Sequence, residues 1–303
     1  IDALMPPKLH YTITPLPQRH IFQVRLQVTS SNDSETTGLT LQLPNWIAGS
    51  YMIRDFARHI VRIDASDERG QAVALTPLNQ HTWQSAPFTG ALTVAYEVFA
   101  HDSSVRTAFL DGDGGFFNAT SVCLLVQGLE MVVHQLTLNA PEGHTNWQVA
   151  TTLPRMDGLF SHDFGGFMAA NYDELADHPM RFGELTWLSF HAHGVLHEMA
   201  LAGHLPYLDA ARLTADVQRM CEAQLALFEP EQSARAPFKR YVFMVDVRAN
   251  GYGSLEHRDS TALVCARRDL PRQGAAGERS DGEVGLLGLI SHEYFHTWSV
   301  KRL

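Results

Sequence analysis

Near the end of the chain stands Ser291-His-Glu-Tyr-Phe-His-Thr-Trp298, in which His292 and His296 are four positions apart and Glu293 follows the first of them. On a helix this spacing turns both imidazoles to one face, where they can share a metal ion, and paired nitrogen ligands suit zinc. Glu293, one step round the helix, reaches a water on that metal. Zinc lowers the pKa of such a water, and a carboxylate takes its proton as the water attacks a peptide carbonyl; the three residues are the minimal apparatus of a zinc peptidase. With 16 histidines in the chain, a match of this kind can also arise by chance. The context favours chemistry, because the apolar run Gly285–Ile290 reads as a buried helix. Burying two histidines and a glutamate there without a shared partner would be costly. A catalytic zinc takes three protein ligands and leaves a position for water, so a third ligand is still required.

The elements that must position this helix follow from the patterning. From Lys8 to about Gly128 the chain alternates apolar and polar residues in short runs, as in Leu9–Thr14, Ile21–Val28, Leu39–Leu43 and Leu92–Phe99. These are half-buried strands, and turn clusters such as Ser30–Ser34 and Asp67–Gly70 separate them. Val132–Leu138 and Trp147–Ala150 continue the pattern. The expected fold class is α+β: an N-terminal antiparallel β-sandwich-like domain over residues 1–170, then a catalytic domain with a mixed sheet and helices over 171–303. The polar stretch Asn171–Pro179 is the expected junction. Within the second domain the pattern predicts a strand at Leu185–His193 and a helix from about Leu208 to Phe228, ending before Pro230. Its expected apolar positions are Leu213, Val217, Met220, Leu225 and Leu227. A strand at Tyr241–Val247 and a Gly-rich turn at Asn250 running into a strand that ends at Leu263–Cys265 come next, and a polar loop over 271–282 leads to the zinc helix.

Two further groups of residues invite a metal reading and do not sustain it. Asp111–Asn118 opens like a calcium loop, yet Gly115 and Val122 stand where that loop needs an oxygen ligand and a glutamate, so a tight turn between strands is expected. His191-x-His193 would place two rings on one strand face, but the sequence singles out no third ligand for them.

Composition bounds the rest. The 303 residues are 45% hydrophobic and 18% charged, which describes a soluble globular protein large enough for two domains. A net charge of −10 without clustered Lys or Arg excludes a nucleic-acid surface, and no apolar stretch reaches membrane-spanning length. Cys123, Cys221 and Cys265 are odd in number and widely spaced, so they read as buried small hydrophobes, which leans the protein towards cytoplasm over periplasm. Nothing in the sequence indicates an oligomeric state. Because the chain opens at Ile1 without an initiating Met and stops seven residues past His296, it is expected to be a fragment.

Taken with Gly253-Ser-Leu-Glu-His-Arg258, the zinc motif makes the chain resemble the glycyl aminopeptidase family of zinc metallopeptidases. Trp46–Arg58, Val105–Leu110 with Gly115–Asn118, Tyr172–Pro179, Gly253–Thr261 and Leu287–Leu303 carry the likeness. The resemblance implies an N-terminal β domain, a thermolysin-like catalytic domain and a C-terminal PDZ domain. It implies Zn²⁺ as cofactor, with His292 and His296 as ligands, Glu293 as general base, and a third ligand from a Glu on a helix beyond Leu303. It also implies a substrate-binding strand containing Gly253, Ser254 and Glu256, with Glu256 pairing with the free α-amine of peptide substrates. The expected activity is release of small N-terminal residues, Gly or Ala. A zinc endopeptidase of the same fold and a non-catalytic peptide-binding scaffold are the alternatives. The family commonly has Gly where this chain has Ser254, and Asn where it has Ser299, so a narrower channel and a weaker hydrogen bond to a ligand are expected. With two ligands only, residues 1–303 alone are expected to bind zinc weakly and to be inactive.

Overall fold

A computed structural model of the chain describes residues 8–29, 36–229, 236–275, 277 and 279–302. The chain forms two compact units, one of Ile1–Val149 with Leu153–Met180, the other of Ala150–Thr152 with Arg181–Leu303.

In the first unit the alternating runs become strands whose apolar side is buried. They are β1 (Lys8–Leu16), β2 (Ile21–Thr29), β3 (Thr40–Gln42), β4 (Ile60–Ser66), β5 (Ala72–Val73), β6 (Leu75–Asn79), β7 (Thr82–Ser85) and β8 (Ala91–Phe99). Then follow β9 (Ala108–Leu110), β10 (Gly114–Phe117), β11 (Leu125–Val126), β12 (His134–Leu138), β13 (Gln148–Ala150, its last residue counted with the second unit) and β14 (Gly165–Ala169). A seven-stranded sheet runs in the order β14-β12-β1-β2-β8-β4-β5, antiparallel except where β1 meets β12. Its register aligns Leu9 with Val28, Tyr11 with Leu26 and Leu26 with Val94, so that one face carries an unbroken apolar layer. A second antiparallel sheet has the order β11-β3-β7-β6. The domain is therefore sandwich-like and mostly antiparallel. Buried tyrosines lock one crossing: the hydroxyls of Tyr96, Tyr172 and Tyr11 donate to the successive carbonyls of Val122, Cys123 and Leu124 at 2.7–2.8 Å. The Asp111 turn joins β9 to β10 as a hairpin, with the Asp111 carboxylate accepting from the amides of Asp113 and Gly114. The polar stretch after Ala170 folds into a short helix, α1 (Tyr172–Ala176), capped by the Asn171 side chain. β15 (Met180–Gly183) carries the chain across from the first unit to the second.

The second unit is built on a mixed five-stranded sheet. Its strands are β16 (Leu185–Ala192), β17 (Val195–Ala202), β18 (Arg240–Arg248), β19 (Tyr252–Glu256) and β20 (Ser260–Ala266), in the order β16-β17-β18-β20-β19. β17, β18 and β20 run parallel, and the two edges are antiparallel to their neighbours. Helix α2 (Ala210–Phe228) makes the crossover from β17 to β18, and helix α3 (Asp281–Phe295) follows β20. Phe243, Val245 and Val247 of β18, with Leu263 and Cys265 of β20, share one core with Leu213, Val217, Cys221 and Leu225 of α2 and Leu286, Leu289, Ile290 and Tyr294 of α3. Both helices therefore cover the same sheet face.

Several expectations are corrected here. Leu227 lies on the solvent side of α2, because the buried stripe follows the four-residue row 213, 217, 221, 225. The Gly-rich stretch after Asn250 is not a turn but the edge strand β19, which reverses at 257–259 to pair with β20. The run before His292 is buried on one side only: Val284 is exposed, and a Cβ placed on Gly285 or Gly288 would meet open space. Pro230 lies outside the described residues. Among the described residues no helix is long and apolar enough to cross a membrane.

Candidate active site

Helix α3 starts sharply because Ser280 and Glu283 form a reciprocal capping box, each side chain bonded to the other's backbone amide. Glu283 also pairs with Arg212 of α2 at 3.0 Å. Further along, Gln224 donates to the carbonyl and hydroxyl of Ser291, both at 2.9 Å, and beyond the last turn Trp298 Nε1 donates to Glu229 at 3.0 Å. Polar ties to α2 thus hold the helix at both ends and in its last turns. From the sheet side, Tyr294 reaches His197 of β17. The His197 ring is fully buried between Phe190, Phe238, Tyr241 and Tyr294, and its two nitrogens face Val195 O and Tyr294 Oη, each at 2.9 Å. Burial pushes the His197 pKa down to about 4, so the ring is neutral, with Nδ1–H donating to the carbonyl and Nε2 accepting from the tyrosine.

With its Tyr294 side fixed inward, α3 turns the other side towards the sheet edge. The Nε2 atoms of His292 and His296 stand 3.1 Å apart. Two nitrogens at about 2.0–2.1 Å from one tetrahedral ion are roughly 3.3 Å apart, so the pair has the bite that zinc requires. His296 Nδ1 lies 3.1 Å from the backbone carbonyl of Ser299. A hydrogen donated there leaves the Nε2 lone pair available as a ligand. The weakening expected from Ser299 does not arise at this contact, because the acceptor is backbone and independent of the side chain at that position.

Glu293 is almost wholly buried, with Oε1 3.9 Å from His292 Nε2. Ser254 Oγ donates to that same Oε1 at 2.6 Å, while Oε2 is buried and has no hydrogen-bond partner among the described residues. The sheet register explains why Ser254 is there. Across the strands, Leu201, Val245, Leu263 and Ser254 form one row and Met199, Phe243, Thr261 and Glu256 the next, all on the helix-covered face. Ser254 and Glu256 therefore share that face, two positions apart, and Gly253 points the other way. A Cβ on Gly253 would meet nothing within 4 Å. Burial pushes the Glu293 carboxyl above the usual range; the Ser254 hydroxyl opposes that, the Glu256 charge adds to it, and the two imidazoles oppose it.

The residues singled out in the sequence thus fall into two groups. His292, Glu293, His296, Ser254 and Glu256 belong to one neighbourhood formed by α3 and β19. His191 and His193 do not join it: β16 ends at Ala192, and His193 sits in the following turn with φ 47°, so the two do not share a strand face. Among the described residues no three His, Cys, Asp or Glu side chains are placed so that they could together hold one metal ion. The hydroxyl donated to Glu293 and the His197–Tyr294 tie escaped sequence reasoning. The resemblance already implied a strand through Gly253, Ser254 and Glu256, and alternation along it places Ser254 and Glu256 on one face.

Residues 10–184 match the Peptidase M61 N-terminal domain. No curated protein sequence matches the chain. Among solved structures, the chain is similar to a crystal structure of an aminopeptidase N family protein from Idiomarina loihiensis, at 43% identity and a TM-score of 0.90. That similarity covers 97% of this chain and 48% of the other, so the chain spans about half the length of its relative.

Proposed function

Because the chain belongs to the M61 peptidase family, we propose that the full-length protein is a zinc-dependent aminopeptidase that releases small N-terminal residues, glycine or alanine, from peptides. The observation that carries this reading is the convergence of His292 and His296 Nε2 at 3.1 Å beside the buried carboxylate of Glu293. His292 and His296 would hold the ion, and a third ligand has to join them from outside the described residues. Bound there, zinc would supply a Lewis acid that acidifies water and polarises a carbonyl.

The chain's own residues do the remaining work. Glu293 takes the proton of the attacking water on its carboxylate and returns it to the departing amine. Its burial keeps that proton from being lost to bulk solvent between the two transfers. β19 is the edge of its sheet, so its outer backbone groups are open to an extended peptide, and Gly253 leaves room for another backbone to approach. Glu256, on the same strand face as Ser254, would pair with the substrate's ammonium group and thereby select a free N-terminus.

Hydrolysis of glycyl and alanyl amides tests the reading, measured with and without a chelator and against the N-acetylated substrates. The expected result is turnover that chelation abolishes, that zinc restores, and that acetylation prevents. An acetylated peptide cut at the same rate would make the protein an endopeptidase and remove the anchoring role from Glu256. Stoichiometric zinc with no turnover on a broad peptide library would leave a binding scaffold.

A further inference from the structure

The sequence suggests that Ser254 lines a substrate channel, but its geometry assigns a different task. We infer that Ser254 is a positioning residue for Glu293: its hydroxyl fixes the plane of the carboxylate that serves as the base. This rests on the reading of Glu293 as the general base.

A glutamate carboxylate rotates broadly about its last bond, because that torsion has no sharp staggered wells. In a buried site with no donor, its two oxygens would exchange places freely. Ser254 removes that freedom. Its backbone is pinned by the pairing of β19 with β20 opposite Leu263, and its side chain is one bond long, so the hydroxyl has few places to go. At 2.6 Å to Oε1 it makes a hydroxyl–carboxylate bond of the short, charge-assisted kind. Glu293 itself is anchored by a helix turn whose next residue, Tyr294, is bonded to His197. The carboxylate is thus held at its base by the helix and at one oxygen by the strand, and the other oxygen keeps both lone pairs. The resemblance leads one to expect glycine at this position, and glycine carries no hydroxyl. Relatives with glycine would orient their base by other means, whereas this chain builds the contact into the strand that lies against the helix.

Two measurements on the full-length protein test this. The first compares Ser254→Ala, Ser254→Gly and Ser254→Thr in steady-state hydrolysis of a glycyl amide, with thermal unfolding as the folding control. Misplacement of a reacting group by about 1 Å costs up to ~10²-fold, so the loss of one orienting bond should lower kcat roughly 10-fold and leave KM within about threefold, with Thr restoring most of kcat. The second needs neither metal nor turnover: infrared difference spectra of the zinc-free protein, in which the Glu293 carboxylate band is identified by its loss in Glu293→Gln. That band should shift in Ser254→Ala and return in Ser254→Thr. A rise in KM with unchanged kcat would make Ser254 a substrate contact and overturn the inference. An unmoved Glu293 band would overturn it too. If Glu293→Gln hydrolyses the amide normally, the reading of Glu293 as base falls and this inference with it. If Glu293→Gln is inactive while Ser254→Ala matches wild type in both measurements, only the inference falls.

Discussion

Lowering the pH should loosen the second unit through His197, whose ring nitrogens face only Val195 O and Tyr294 Oη. The ring is fully buried in an aromatic cage and neutral, with a folded-state pKa of about 4 against an ordinary value of 6.5. Between those two values the unfolded chain holds a proton that the folded chain refuses. The stabilising effect of the neutral ring is therefore complete above pH 6.5, declines as the pH falls, and levels off below about 4. From pH 7.5 to pH 4.5 the loss from this one group amounts to about 2.5 kcal/mol, a large part of the stability of an ordinary domain. Urea unfolding followed by tryptophan fluorescence across that range measures it, with His197→Phe as the control. Phenylalanine keeps a ring in the cage and cannot titrate, so the variant should be less stable at neutral pH and show a flatter profile between pH 6.5 and 4.5. If wild type and His197→Phe lose the same stability over that interval, His197 does not titrate as a buried neutral ring and the argument from the cage is wrong.

Other consequences follow from how α3 is held. Tyr294→Phe strips the donor from His197 Nε2 in a buried core and should cost about 1–3 kcal/mol in urea unfolding, with the double variant His197→Phe/Tyr294→Phe losing less than the sum of the singles. Ser280→Ala opens the capping box and should cost about 1 kcal/mol, read as faster amide exchange in the first turn of α3. Gly203, just past β17, has φ 110° and would bring a Cβ within 2.3 Å of the Val247 carbonyl. Gly203→Ala should therefore destabilise by more than about 1 kcal/mol in the same urea assay.

What could be read from the sequence depended on how local the cause was. The His292/His296 geometry follows from helical periodicity alone, and the strands around Tyr11 and Leu26 announce themselves by strict alternation. β17 gives no such signal. Its buried stretch His197–Leu201 is covered on both faces, so a histidine and a glutamate sit in an otherwise continuous apolar run without a period of two. Gly251 before β19 and Gly253 within it give its residue pattern the look of a turn, and it is the pairing with β20 that holds it as a strand. The contacts that orient the site are more distant still: Ser254 reaches Glu293 across 39 positions and His197 reaches Tyr294 across 97. No local pattern encodes those distances, because they are set by sheet order.

The proposed chemistry requires Glu293 as the proton-accepting group beside a metal held by His292 and His296. Glu293→Gln in the full-length protein keeps the shape of the side chain and removes its basicity, so metal content and turnover can be measured on the same sample. One zinc per chain should remain, while hydrolysis of a glycyl amide falls by at least about 10²–10⁴-fold. Turnover at the wild-type rate in Glu293→Gln would contradict the assignment.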